Sequence, residues 1–398
     1  MSGSAQPAIK IYGTRGSAAC YSIRDFLHRS DVPFQWIDLT SHQRARAEAQ
    51  VSGLEDQRLP ICEFPDGTRI ERATVRQVLD GFRTQPRDAV AHRVVHGGER
   101  LIAPVIVDDA VVEAIAAVGD LAPLHNDLAL DTLRVSRTLM ADRPHVACFD
   151  TAFHATLPEP AVWYPVPAAW RRWGIRRFGF HGLSVQWAVE RAGELLDRNP
   201  SDLGLVVAHL GSGCSVTSVA GGESVWTSMG FTPLDGLMMR TRSGAIDPGI
   251  IFHLLRRGHL QLEDLARELE HSAGLAGVGG HDGDVRALEA ASASGDRDAQ
   301  LALDMFAARA AAGIAAAATW LARLDAIVFT GGIGENAGRM RARIVDRLRP
   351  LGAASVDDLE PGEDRILADG PVKTLRVEAR EDVVMARAAS RLLGMPPD

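Results

Sequence analysis

The 398-residue chain is 46% hydrophobic and 24% charged, enough apolar material for two or three folded units. Its net charge is −8 and no Lys/Arg block stands apart from the acidic residues, which excludes the electrostatic footprint of a nucleic-acid binder. Cys20, Cys62, Cys148 and Cys214 are far apart and lack metal-ligand spacing, which excludes a zinc site or disulfide framework and suits a reducing cytoplasm.

Met1 to Gly13 has no basic-then-apolar signal pattern, and Ala310 to Ala322 is too short and alanine-rich to span a bilayer. A strand at Ile9–Tyr12, a helical pattern around Ser22–Arg29 and a second strand at Phe34–Leu39 form a βαβ opening. A polar helix (Gln43–Val51) follows, then two short strands (59–64 and 68–70) joined by Pro65-Asp66-Gly67. Gly67 supplies the positive φ such a turn needs. A helix at Thr74–Phe82 closes this unit and the polar stretch Arg83–Asp88 reads as a linker.

Beyond it, long helices alternate with strands that end in glycine. Leu205–Leu210 is a buried-strand run ending in Gly211-Ser212-Gly213 and followed by another strand, Cys214–Val219. Ala302–Leu324 has strong helix propensity. It feeds the strand Ala326–Thr330, which ends in the glycine loop Gly331-Gly332-Ile333-Gly334-Glu335-Asn336 and a further helix.

Glycine loops after buried strands let backbone N–H groups approach phosphate oxygens. Neither loop has a Walker A or dinucleotide fingerprint, and a glycine hairpin between two strands points to an actin-like kinase architecture. Arg93, His125, Asp150, His181 and Arg242 all sit beside strand ends, Gly or Pro. Phosphoryl transfer needs this set: cations for the equatorial oxygens and a carboxylate near a metal. Read singly, each has a plainer alternative: a structural ion pair for either arginine, a satisfied core histidine for His125, a turn cap for Asp150.

Eight segments in order resemble acetate kinases: His92–Glu99, Ala122–Asn126, Phe149–His154, Arg177–Gly182, His209–Gly211, Thr227–Pro233, Thr241–Gly244 and Phe329–Asn336. The resemblance runs from about His92 to Arg387. It implies an α/β, actin-like (ribonuclease H-like) acetate kinase fold, with 87–150 plus 382–398 as a reduced first lobe and 151–381 as the nucleotide-binding lobe. It implies reversible transfer from ATP to acetate with Mg²⁺, in a homodimer. Arg93 and Arg242 would hold carboxylate and phosphoryl group, His181 would stabilise the transition state with His125 close by, and Asp150 would lie next to metal and acceptor. Val95, Leu124, Phe180 and Pro233 would wall a pocket for acetate or propionate. His209, Leu210, Gly211, Ser212 and Gly213 would meet phosphates. Asp284, Val285, Arg286, Gly331, Gly332, Ile333, Gly334, Glu335 and Asn336 would surround the adenosine half, and Glu381 would bind magnesium.

The family's opening strand and Gly-Ser-Ser-Ser loop have no counterpart in the first residues. Positions 1–86 instead resemble a glutaredoxin- or thioredoxin-like domain, with Leu59-Pro60 at the cis-proline position and Ser17-Ala18-Ala19-Cys20 where C-x-x-C would fall. Without a second motif cysteine, Cys20 lacks the partner for an intramolecular cycle. Asp127, Ser212, Arg240 and Arg380 also depart from the family's usual residues near the site. Two readings follow: an active acetate kinase, or a nucleotide-binding regulatory protein on a kinase scaffold.

Overall fold

A computed structural model describes residues 9–15, 17–29, 34–82, 89–119, 123–357 and 362–394. The stretch read as a linker, 83–88, lies outside them. Three sheets organise the chain. The first has β1 (Ile9–Gly13), β2 (Phe34–Asp38), β3 (Ile61–Glu63) and β4 (Arg69–Ile70) in the order β2-β1-β3-β4, with β1 and β2 parallel and the other pairs antiparallel. Alternation along β1 explains its two covered faces. Ile9 and Ile11 pack with Ile23, Leu27 and Val78 of two helices, while Tyr12 on the other face packs with Ala45 and Leu39. The helix on that second face starts where the Ser41 side chain accepts from Arg44 N. The Leu59–Pro60 peptide is cis.

The second sheet, β5 (Val90–Val94), β6 (Val105–Ile106) and β7 (His145–Phe149), has the order β5-β7-β6 with β5 parallel to β7. Val94, Ala147 and Phe149 face the helices Asp109–Ala116 and Pro123–Leu139. Val146 and Cys148 face Leu183 and the last helix, Glu381–Leu393, through Val384, Met385 and Ala389. Met140, just past the helix Pro123–Leu139, inserts into the Ile9/Ile11 core, so the first sheet is docked on the second.

The third sheet has β8 (Gly204–Leu210), β9 (Cys214–Ala220), β10 (Glu223–Thr227), β11 (Ala326–Thr330), β12 (Arg365–Ala368) and β13 (Lys373–Arg376). Its order is β10-β9-β8-β11-β13-β12, with β8, β11 and β13 mutually parallel. Helix Gly182–Leu196 covers one face and helix Arg297–Ala318 the other. The latter is the only described helix long and apolar enough to cross a bilayer, yet Leu303, Phe306, Ala310 and Ile314 on it are core residues.

Two expectations are corrected here, and two strands are added to them. The long helix runs Arg297–Ala318 instead of 302–324, because the Asp296 side chain caps it by accepting from Asp298 N and Ala299 N. Gly331–Asn336 forms a short helix instead of a loop, held by its neighbours despite poor glycine propensity. The last two strands, β12 and β13, went unread; they exist because β13 pairs with β11.

Candidate active site

Parallel pairing sets Arg93 opposite Cys148 and Val94 opposite Phe149, so Arg93 and Asp150 leave adjacent strand ends together. Arg93 Nε donates to Asp150 Oδ1 and Nη2 to Oδ2, each at 2.9 Å. This is the bidentate geometry that a guanidinium makes and an ammonium does not. Asp150 is 1% exposed. Its carbonyl accepts from Gly182 N at 2.9 Å, and a Cβ on Gly182 would stand 2.2 Å from that same oxygen, so the approach requires glycine.

His181 sits at the start of helix Gly182–Leu196 with φ +60, a left-handed conformation uncommon outside glycine and concentrated at functional sites. Its ring stacks on His209, centroids 4.1 Å apart. Each imidazole is held at Nδ1 by a serine: His181 by Ser215 Oγ at 2.9 Å, His209 by Ser184 Oγ at 2.8 Å. Both Nε2 atoms lie at the glycine hairpin. A Cβ at Gly213 would stand 3.0 Å from His181 Nε2, and one at Gly211 3.5 Å from His209 Nε2. Burial, reinforced by His209 and the Arg93 and Arg242 guanidinium groups, holds His181 well below its ordinary pKa. Burial and Arg93 bring His209 down to about 4, so both rings are neutral at pH 7. Neutral imidazoles can donate a hydrogen bond without adding a charge to a cleft that already holds two arginines.

His154 buttresses this arrangement. Phe180 O can only accept, so His154 Nε2 at 2.9 Å carries the proton and Nδ1 accepts from Ser224 Oγ at 2.8 Å. This pins the residue before His181.

Arg242 reaches the hairpin from the other side. A Cβ at Gly213 would lie 3.8 Å from Arg242 Nη1, and that atom donates to Pro233 O at 3.3 Å. The Pro233 loop is itself held by Arg177, which donates to Ser228 O and Met229 O at 3.0 and 2.8 Å and faces the Tyr164 ring. Val95 and Phe180 belong to the same apolar cluster. The backbone of Leu124 and His125 is helical, but their side chains lie outside the described residues.

The second glycine segment adjoins the first. A Cβ at Gly211 would be 3.8 Å from Gly332 N, and Gly331, at φ +76, packs against Leu210 so closely that a side chain would meet its carbonyl at 2.9 Å. Leu210 itself is core. Glu335 Oε1 accepts from Ala379 N at 3.0 Å. Burial, with Glu378 and Glu381 nearby, raises its carboxyl to about 6. Asp284 caps helix Val285–Ala293 and pairs with exposed Arg286, while Val285 is a core residue. Arg240 and Arg380 are turned to local partners: Arg240 Nε donates to Asp282 O at 2.7 Å, and Arg380 Nε and Nη2 donate to the two Asp382 carboxylate oxygens, each at 2.9 Å.

Among the described residues no three His, Cys, Asp or Glu side chains gather to hold a metal by themselves. Mg²⁺ does not need such a cage, since it takes one or two carboxylates plus substrate phosphates and water. Glu381, buried beside Glu335, is a carboxylate whose repulsion with its neighbour a cation would relieve.

The structure therefore brings Arg93, Asp150, His181, His209, Arg242 and Gly211 to Gly213 together. The structure adds roles for His154 and Gly182, which end two of the family-like segments, and for Ser184 and Ser215. Ser215 had a legible signal: it pairs directly with His209 across the hairpin and shares its face.

Residues 61–387 match the acetokinase family pattern. The chain belongs to the acetokinase family. The match begins inside the first sheet, upstream of the expected His92. The chain is 44% identical to acetate kinase of Deinococcus radiodurans over 321 residues, 79% of this chain and 80% of that one. Acetate kinase of a Synechococcus species is 44% identical over 308 residues, 76% of each. Among solved structures, a Francisella tularensis propionate kinase superposes with a TM-score of 0.76 at 34% identity, covering 82% of this chain and 88% of that one. Porphyromonas gingivalis acetate kinase gives 0.77 at 29%, covering 86% and 92%.

Proposed function

We propose that this acetokinase-family protein transfers the γ-phosphoryl group of ATP to acetate, forming acetyl phosphate and ADP, and catalyses the reverse reaction. One observation carries the reading: two arginines and two serine-held neutral imidazoles surround a glycine hairpin beside a buried aspartate. An acetate oxygen forms the new P–O bond as the bond to ADP breaks. Arg93 and Arg242 meet the charge spread over the equatorial oxygens, and His181 and His209 offer Nε2–H donors to it. The hairpin 211–213 and the segment 331–336 line the phosphate path, with Asp284, Arg286 and Asn336 towards the nucleoside. When bound, Mg²⁺ would supply charge neutralisation on the phosphates, and Glu381 and Asp150 are the carboxylates that would hold it. Val95, Phe180 and Pro233 bound a small acyl pocket, which suits acetate or propionate.

The strand order of the first sheet, with β1 and β2 parallel and β3 and β4 antiparallel, supports a thioredoxin-like reading of the N-terminal unit. Its thiols are unsuited to redox work. Cys20 and Cys62 are buried and unpaired, and burial, with Cys20 nearby, pushes the Cys62 thiol up to about 12. All four cysteines are free, which suits a cytoplasmic protein. A homodimer, as the family resemblance implies, would be tested by sedimentation.

Hydroxylamine trapping of acetyl phosphate from ATP, Mg²⁺ and acetate tests the activity. Product that requires all three supports the reading. Calorimetric binding of ATP with no product overturns it in favour of a nucleotide-binding regulatory protein.

A further inference from the structure

A cleft of about 320 Å³ lies against the strand end that carries Asp150, between helices Gly182–Leu196 and Glu381–Leu393. Phe149, Phe153, Leu183, Val384 and Leu392 make its walls apolar. None of them belongs to the arginine and imidazole cluster. The polar groups of the cleft lie on Gln186, Glu190, Arg387 and Arg391. Gln186 Nε2 donates to Glu190 at 3.3 Å and Arg387 Nη1 donates to Glu190 at 2.7 Å, so the one carboxylate of the cleft is neutralised. The guanidinium of Arg391, one helical turn beyond Arg387, has no partner among the described residues.

We propose that this cleft binds a medium-chain aliphatic carboxylate, with its chain among Phe149, Phe153, Leu183 and Leu392 and its head group on Arg391. The volume is at the lower end of small-molecule pockets, and the lining is apolar with few polar groups, as such pockets require. Charge complementarity selects the head group: with Glu190 and Arg387 paired, one positive charge remains. Chain length follows from burial, since each methylene removed from water tightens binding about fourfold.

The position also predicts a consequence. Phe149 directly precedes Asp150, Leu183 directly follows Gly182, and Gly182 N bonds the Asp150 carbonyl at 2.9 Å. An occupant pressing on Phe149 and Leu183 acts on both sides of that contact. It therefore lowers turnover without competing with the acyl substrate. This kinetic half rests on the phosphotransferase reading; the binding half does not.

Titration calorimetry of the full-length protein with sodium octanoate, in saturating acetate, reads the binding directly. One octanoate per chain is expected, with hexanoate on the order of tenfold weaker and octylammonium silent. Ala388→Trp, which fills the cleft, and Arg391→Glu, which turns an exposed attraction into a repulsion, each weaken octanoate by about tenfold. Absence of heat with the wild type overturns the proposal, as does octylammonium binding equally well. Unchanged affinity in both variants overturns it too, by placing octanoate elsewhere. A change of sedimentation coefficient in Arg391→Glu overturns it by assigning the surface to a second copy of the chain. Should Ala388→Trp fail to fold, Arg391→Glu alone decides.

Discussion

The guanidinium of Arg93 closes on the carboxylate of Asp150 through two hydrogen bonds of 2.9 Å, linking the ends of two parallel strands. An aspartate so held cannot turn freely, and an arginine so held presents its remaining edge in a defined direction. Asp150→Asn keeps the shape but removes the charge. Steady-state turnover is expected to fall about 10²–10³-fold, with the far-ultraviolet circular dichroism unchanged; near-normal turnover would remove Asp150 from the site.

Gly182→Ala tests the backbone side of the same contact. The added methyl would stand 2.2 Å from Asp150 O and 2.8 Å from Phe153 Cβ, both in rigid surroundings. A loss of stability of about 1–3 kcal/mol in urea unfolding is expected, together with reduced turnover. A variant as stable and active as the wild type contradicts the packing described here.

Arg242 is desolvated, which lowers its pKa, and its Nη1 is anchored on Pro233 O. Lysine there supplies a point charge without the planar fork. Arg242→Lys is therefore expected to lose most of the roughly 10²-fold or greater factor that Arg242→Ala loses. Full recovery by lysine would show that charge alone matters.

Ser215→Ala leaves His181 in place but removes the hydrogen bond that orients its ring. Turnover should fall roughly tenfold or more while the acetate KM changes little, and Ser215→Thr should restore part of it. Equal loss in the threonine and alanine variants would point to packing instead of ring orientation.

Acid should unfold the protein early. Burial lowers His92 to about 3 and His96, His154 and His209 to about 4, against an ordinary value of 6.5. Below 6.5 the unfolded chain takes up protons that these rings refuse, so the stability they contribute is present above that pH and is lost as pH falls towards 4. Glu335, raised to about 6, and Glu289, also raised by burial, act in the opposite sense, but the depressed histidines, with His145 and His181 among them, outnumber them. Thermal midpoints should fall steeply between pH 6.5 and 4; a flat profile would contradict the burial of these rings.

Much of the nucleotide-binding half was legible because β8 and β11 are continuous apolar runs ended by glycine, the signature of strands buried on both faces. β12 and β13 were not, since Arg-Ile-Leu-Ala and Lys-Thr-Leu-Arg are short and flanked by charge; their extended state is imposed by pairing to β11. Arg93, Asp150, His181 and Arg242 stand out in the sequence because they sit beside strand ends, Gly or Pro within segments that resemble acetate kinases. Ser184 does not, because it meets His209 only through a tertiary contact, and the cross-strand pairing of Ser215 with His209 does not show that its hydrogen bond goes to His181. The insertion of Met140 into the first sheet's core was equally invisible: it is a lone apolar residue at a helix end.

The last helix, Glu381–Leu393, lies on β7 of the small sheet, more than two hundred positions earlier in the chain. On a ribosome, Val146 and Cys148 are made long before Val384 and Met385 exist to cover them. The lobe that carries Arg93 and Asp150 therefore cannot finish folding until residues 381–393 have been made, whereas β8 and β9 can pair as soon as they emerge. Vectorial synthesis thus completes the phosphate hairpin before the aspartate's support.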